Sequence, residues 1–372
     1  MPDYRDAISP TPALLPRPDL AAMIRLVRTL DQLSRQPAYR QQVLPQLPET
    51  ARFNPGHDAV MMGYDFHLSP AGPRLIEVNT NAGGGLLAYL AHAPATPLAT
   101  ATLPPRLKRQ LLASFAAEIS AFSGGRRERP RGIAIIDENP LDQFLYTEMQ
   151  SFARLFETEW GIPALITDPA GLVAGTEGVF SAGRPIDLIY NRHCDFYLES
   201  PAMSGLRDAY LAGKVCLTPN PFIYGLLADK RRMILWSDRD ALADLALPAV
   251  ARDRLLAMIP QSRLLAAIDP AQAWQQREEL VFKPVSRFGS RGVLLGRKIS
   301  RTRFDELPPA ETLVQQLVPP SLTEIGSGIA LKTDYRLYVY RSQVLGVAAR
   351  LYQGQVTNLR TAGGGFAAVH LI

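Results

Sequence analysis

One short stretch limits what this chain can fold into more than any other. Ala59-Val-Met-Met-Gly-Tyr-Asp-Phe-His-Leu68 alternates as a strand, Ser69-Pro-Ala-Gly-Pro73 reads as a turn, and Arg74-Leu-Ile-Glu-Val-Asn-Thr80 reads as the returning strand. Glu77 and Asn79 are two apart, so their side chains share a face. A turn centred on Ala71 sets Asp65 opposite Glu77, with Cβ atoms about 5 Å apart. Two facing carboxylates repel unless a cation lies between them. Asp65, Glu77 and Asn79 all offer hard oxygens, which suit Mg²⁺, and Mg²⁺ commonly brings phosphates with it. The alternative is a surface hairpin with polar outward positions. The apolar sequence around the hairpin and the glycine triplet Gly83–Gly85 behind it favour the metal reading.

The rest of the chain must supply a fold around this hairpin. Its 372 residues suggest two or three packed units, and 47% hydrophobic with 20% charged residues excludes wholesale disorder. No stretch approaches the roughly 18 consecutive apolar residues of a membrane span. The N-terminal residues lack a basic segment followed by an apolar core, so no secretory signal is expected. Cys194 and Cys216 have no metal-site spacing and fit a reducing cytoplasm. The net charge of +5 is spread along the chain. Its densest basic cluster, Gly124–Arg131, is broken by Glu128 and Pro130 and reads as a linker, not a nucleic-acid patch.

Asp19–Gln46 has the three- and four-residue apolar spacing of a helix. Leu107–Ser123 and Leu141–Trp160 also read as helices, alternating with strands at Gly132–Ile136, Ala164–Ile166 and Ile186–Tyr190. That alternation predicts a parallel α/β layer. Asn220–Trp236 reads as loop then helix. From Glu279 onward strands dominate: Leu280–Pro284, Gly292–Leu295, Thr312–Val318, Asp334–Tyr340 and Gln343–Leu351. These predict a largely antiparallel α+β unit. The expected divisions are 1–106 with the hairpin, 107–219 as the α/β domain, and 220–372.

Two further segments carry chemistry. In Val281-Phe-Lys-Pro-Val-Ser-Arg-Phe-Gly-Ser-Arg-Gly-Val293 a strand delivers Lys283 to a loop of small residues, Ser286, Gly289, Ser290 and Gly292. Small residues let backbone N–H groups approach phosphate oxygens, and the lysine adds charge. An ordinary glycine-containing hairpin would read the same way. At the C-terminal end, a strand carries Arg350, followed by Thr357-Asn358 and the run Gly363–Gly365, a candidate flexible lid.

Taken together these segments resemble the ATP-grasp ligases, and most closely the glutathione synthetases. Lys230 looks like that family's first lysine and Lys283 its second. Thr312–Pro319 looks like the adenine-binding hinge, Asp334-Tyr-Arg336 the next strand, and Arg350, Asn358 and Gly363–Gly365 the last segment. Ile189-Tyr-Asn-Arg192 resembles the Tyr-x-Arg strand end of the substrate domain. The metal strands come first here instead of last, the pattern of a circular permutation that eukaryotic glutathione synthetases share.

The resemblance implies an ATP-grasp fold, two α+β subdomains clasping ATP, plus a Rossmann-like α/β substrate domain. It implies an ATP-dependent carboxylate–amine ligase working through an acylphosphate, with ATP and two Mg²⁺ ions as cofactors. Lys230, Lys283 and the loop Ser286–Gly292 would bind phosphates, and Asp65, Glu77 and Asn79 would hold Mg²⁺. Gln316 and Val318 would offer backbone groups to adenine, and Asp334 would support the ribose side or a lysine. Arg350 would stabilise the acylphosphate. Arg192 and Arg336 would take a substrate carboxylate, and Asn358, Gly363 and Gly364 would cover the substrate. The partners expected are a small carboxylate and an amine, an amino acid or short peptide, with neither nucleic acid nor membrane; a homo-oligomer stays open. Competing readings are a nucleotide-binding regulator without turnover, and a kinase or ligase with a non-amine acceptor. His57 and His67 flank the hairpin and read as packing or surface residues.

Overall fold

The computed structural model describes residues 7–92, 103–285, 292–326, 328–355, 357–358 and 361–372. Strand β1 (Ala13–Leu15) leads into the helix Arg17–Ser34. The single helix expected over Asp19–Gln46 is two. Pro37 lacks an N–H, and its ring drives Gln36 to an extended ψ of 134°, so a new helix starts at Pro37 and runs to Val43.

The hairpin follows as β2 (Met62–Ser69) and β3 (Gly72–Asn79). Its turn is tighter than the sequence suggests, because Ser69 pairs with Gly72. Ile76 then forms a β-bulge that shifts the register by one residue. The bulge restores the expected pairing, and Asp65 stands opposite Glu77.

The middle of the chain forms β4 (Ile133–Ile136), β5 (Ala164–Thr167), a small meander of β6 (Val173–Gly175), β7 (Gly178–Ser181) and β8 (Arg184–Pro185), then β9 (Leu188–Asn191) and β10 (Cys216–Thr218). The meander was not legible in the apolar pattern. The other four strands make an all-parallel sheet in the order β10-β9-β4-β5, as the strand–helix alternation predicts. Alternate residues of β4 serve opposite faces. Ile133 and Ile135 pack with Phe115, Phe152 and Phe156, while Ala134 and Ile136 pack with Leu206 and Tyr210. The basic cluster before β4 is partly neutralised: Arg127 and Arg131 pair with the buried Asp187 at 2.6 and 3.0 Å.

The last part builds two sheets. One is antiparallel, in the order β11-β14-β12-β13, from β11 (Ser262–Leu264), β12 (Leu280–Pro284), β13 (Leu294–Leu295) and β14 (Thr312–Gln316). The other contains β15 (Ser321–Ile325), β16 (Ile329–Tyr340), β17 (Gln343–Tyr352) and β18 (Gly365–Ala367). Its order is β18-β17-β16-β2-β3, with β15 also on β16, so the early hairpin completes a sheet whose other strands come from the far end of the chain. Arg336 of β16 pairs directly with Asp65 of β2. β1 closes the structure by pairing in parallel with β19 (Val369–Leu371). No helix among the described residues is long and apolar enough to cross a membrane.

The glycine run Gly363–Gly365 is a packed crossing, not a lid. A Cβ on Gly365 would lie 2.2 Å from the Ala7 carbonyl oxygen, and one on Gly364 would lie 2.4 Å from that of Leu351. Ser9 ties the same stretch down, donating from Oγ to Gly363 O (2.8 Å) and from N–H to Phe366 O (2.8 Å). Gly365 also has φ +100°, which side chains rarely adopt. Gly365→Ala is expected to destabilise the protein by about 2 kcal/mol or more. Gly346→Ala, whose Cβ would meet nothing within 4 Å, should leave the midpoint of thermal unfolding unchanged. Calorimetry of the two variants checks this.

Candidate functional site

The six-stranded sheet and the β11–β14 sheet face each other across a cavity of about 320 Å³. One part is charged and lined by Asp65, Glu77, Lys283, Asp334 and Arg350; the other is apolar, with Val281, Leu295, Leu317 and Val318. Four groups singled out in three sequence segments, Asp65, Glu77, Lys283 and Arg350, thus line one cavity.

Asp65 is clasped by two arginines. Arg336 donates bidentately to it, Nε to Oδ1 and Nη2 to Oδ2, both 2.6 Å, and Arg350 Nη2 lies 2.9 Å from Oδ2. Arg350 Nε donates to Asp334 Oδ1 at 2.6 Å, and Thr357 donates to Asp334 Oδ2 at 2.7 Å. All four charged side chains are buried. Burial pushes the Asp65 carboxyl up, but the two guanidiniums outweigh it and hold it well below the usual carboxylate range.

This geometry revises three expectations. The cation required by the facing carboxylates comes from the arginines, so Asp65 is an anchor for them. Arg336 spends its Nε–Nη2 edge on Asp65, and Nη1 donates to Gly83 O (3.4 Å), so the bidentate edge expected to take a substrate carboxylate holds Asp65 instead. Asp334 pairs with Arg350 and Thr357, and not with a lysine.

Asn79 Nδ2 donates to Asp65 Oδ2 (3.3 Å) and Glu77 Oε1 (3.2 Å), so its own Oδ1 is free of that task. Among the described residues no group of three or more His, Cys, Asp or Glu is arranged to hold a metal alone. The oxygens of Glu77 and Asn79 instead fit Mg²⁺ in its usual manner, with one or two protein donors and the remaining positions taken by phosphate and water.

Lys283 is buried on β12. Its Nζ donates to Gln315 Oε1 at 2.6 Å and to Ile76 O at 3.2 Å, the carbonyl turned toward it by the bulge residue. Burial lowers its pKa to about 8, Glu77 and Asp65 raise it, and Lys230 lowers it. The two lysines therefore share one electrostatic environment. Lys230 follows a π-turn, Tyr224–Ala228, a form frequent at functional sites. Its neighbour Asp229 is locked by Tyr197 Oη (2.6 Å) and Arg231 Nη1 (3.1 Å).

Other expected residues fall elsewhere. Val318 lines the cavity, but its carbonyl accepts from His67 Nδ1 at 2.7 Å. Gln316 also lines it, with its N–H bonded to Gln261 O at 2.8 Å. Ser286, Gly289 and Ser290 lie outside the described residues, and Gly292 borders a separate small pocket beside Phe282 and Arg303. Asn358 is exposed and accepts from Thr361 Oγ1 at 3.0 Å. Arg192 is buried just past β9, donating from Nη1 to Asn81 O at 3.0 Å. Strand order reverses between β4 and β9, so Arg192 stands where open α/β sheets bind ligands.

Several contributors were missed. Gln315 was hidden in an apolar strand; only its partnership with Lys283 reveals it. Glu148 accepts from Gly84 N (2.9 Å) and Leu86 N (2.8 Å), and Tyr338 Oη donates to Gly83 O (3.0 Å). The glycine triplet is thus gripped by side chains from distant elements.

The fold is shared with solved structures. No family model matches the chain, and no curated protein matches it in sequence. Among solved structures, a glutathione synthetase-like effector from Globodera pallida shares 10% identity over 98% of this chain and 90% of its own, with a TM-score of 0.61. A candidate gamma-glutamylcysteine synthetase from Methylobacillus flagellatus shares 14% over 94% and 87%, with a TM-score of 0.51. At these identities the likeness is one of fold.

Two consequences can be measured. Asp65→Ala strands two buried guanidiniums and should destabilise by about 3–5 kcal/mol. Lys283 carries its charge at a cost of roughly 3 kcal/mol at neutral pH, from its shift of 10.5 to about 8. Between pH 8 and 10.5 the unfolded chain binds more protons at this residue, so its contribution makes stability rise with pH. Lys283→Met should be more stable than wild type at pH 7, and the gain should shrink as pH climbs through 8 toward 10. Thermal melts across that range test both the sign and the window.

Proposed function

We propose that this chain is an ATP-dependent, ADP-forming carboxylate–amine ligase of glutathione-synthetase type. The observation that carries the proposal is the two-part cavity. An apolar wall of Val281, Leu295 and Leu317 adjoins a charged part with Lys283, Arg350 and the oxygens of Glu77. A nucleotide has the same division, a flat base at one end and anionic phosphates at the other. The shared fold supports this reading.

In the proposed reaction a substrate carboxylate attacks the γ-phosphorus of ATP, ADP leaves, and an acylphosphate forms. An amine then attacks the acyl carbon, phosphate leaves with the C–O bond electrons, and the amine loses a proton. Such chemistry depends mostly on positioning and charge neutralisation. Lys283 and Lys230 attract the phosphates. Glu77 and Asn79 would hold Mg²⁺, which would offset phosphate charge. Arg350, fixed by Asp334 and Asp65, aims positive charge at the oxygens that become negative. Arg192 takes the substrate carboxylate, since a guanidinium matches one. Small carboxylate and amine substrates, an amino acid or short peptide, fit this scheme.

A non-hydrolysable ATP analogue with Mg²⁺ should raise the unfolding midpoint, and saturation at 100 times Kd corresponds to about 2.7 kcal/mol. Omitting Mg²⁺, or substituting Glu77→Ala or Lys283→Ala, should weaken the shift. ADP release is then scored over pairs of amino acids and peptides. No shift with any nucleotide overturns the reading. A Mg²⁺-dependent shift with no turnover for any pair supports a nucleotide-binding regulator instead.

A further inference from the structure

The cavity holds one polar group that the proposed chemistry leaves unused, the imidazole of His67. It sits on β2 two residues from Asp65, on the same face of the strand, and it lines the same cavity. On its other side it reaches the segment after β14, where Nδ1 lies 2.7 Å from the Val318 carbonyl oxygen. The ring therefore spans from the charged part of the cavity to the apolar part.

That contact decides the ring's chemistry. A carbonyl oxygen only accepts, so Nδ1 carries the hydrogen, and in the neutral ring Nε2 is left as a bare acceptor. Nε2 has no hydrogen-bond partner among the described residues and is not among the fully buried unpaired atoms. A nucleotide laid with its base against Leu295 and Leu317 and its phosphates toward Lys283 carries its sugar past this ring. The donors on that part of a nucleoside are the sugar hydroxyls.

We infer that His67 Nε2 accepts a hydrogen bond from a ribose hydroxyl, making His67 a nucleoside-binding residue that selects ribonucleotides over deoxynucleotides. This rests on the nucleotide reading of the cavity. It also revises the role expected for Val318: its carbonyl orients His67 and does not meet the base directly.

The test is calorimetric binding of ADP, 2′-deoxy-ADP and 3′-deoxy-ADP, each with Mg²⁺, to the full chain. Wild type should bind at least one deoxynucleotide about five- to tenfold more weakly than ADP, the size of one hydrogen bond. His67→Asn keeps an N–H for the Val318 carbonyl but ends short of Nε2. It should bind ADP five- to tenfold more weakly and treat all three nucleotides alike within about twofold. His67→Phe, which keeps a ring of similar size, should do the same. Equal binding of all three by wild type overturns the inference. So does discrimination that survives in His67→Asn, because a purely structural role would weaken every nucleotide equally and leave their ratio unchanged. Failure of wild type to bind any nucleotide removes the nucleotide reading itself, an outcome distinct from binding without discrimination.

Discussion

The buried chain of charges Arg336–Asp65–Arg350–Asp334 is the interaction on which the rest depends. Asp65 is a residue of the early hairpin; the other three come from strands more than 250 positions later, the hydrogen bonds from Arg336 to Asp65 spanning 271. Alternating signs let four ionised groups sit out of water, each carboxylate oxygen being answered by a guanidinium or by Thr357. Backbone pairing of Asp65 with Arg336 sets the register, and the side-chain clasp makes any slip costly. A one-residue slip would turn Asp65 away from both arginines and remove Glu77 from the cavity.

The same logic recurs where the α/β layer meets this sheet. Glu118 is fully buried and accepts from Tyr340 Oη (2.8 Å) and Thr218 Oγ1 (3.1 Å), with His57 Nδ1 at 2.9 Å. Its partners come from the parallel sheet, the long strand β16 and the segment before the hairpin. Further along this seam, Phe196 stacks on Tyr224 with ring centroids 4.3 Å apart, and Tyr197 locks Asp229 beside Lys230. Arg192 reaches Asn81 two residues beyond Asn79. A change in the loop after β9 thus has short, packed routes both to a lysine and to the candidate metal oxygens. Buried polar contacts of this kind tie neighbouring units together, because breaking one would leave a buried group unpaired.

Sequence patterning carried much of the architecture. The parallel layer followed from alternation, and the hairpin pairing followed from turn residues and the two-residue period. The pairing of Asp65 with Glu77 was right for an incomplete reason: the turn is one residue tighter, and the bulge at Ile76 compensates. A bulge leaves no mark on an alternating apolar pattern, since it is selected by what the carbonyl and side chain must reach, here Lys283. Charges were read less well. Asp65, Asp334, Arg336 and Arg350 each looked like a group awaiting a ligand, yet their salt bridges are with one another. His67 was passed over because its neighbour in space, Val318, lies 251 positions away.

By itself, then, the sequence determined the kinds of elements, their order, and which residue types could meet phosphate, metal or carboxylate. These are local properties, set by periodicity, turn chemistry and the valence of single side chains. Only the tertiary structure decided which charges are spent on each other and which are left to face the cavity. It also decided that the glycines of Gly363–Gly365 serve close packing instead of motion, because Ala7 and Leu351 press on them from elsewhere in the chain. Side-chain identity sets what a group can bind. Long-range contact sets what it has already bound, and no local pattern encodes that.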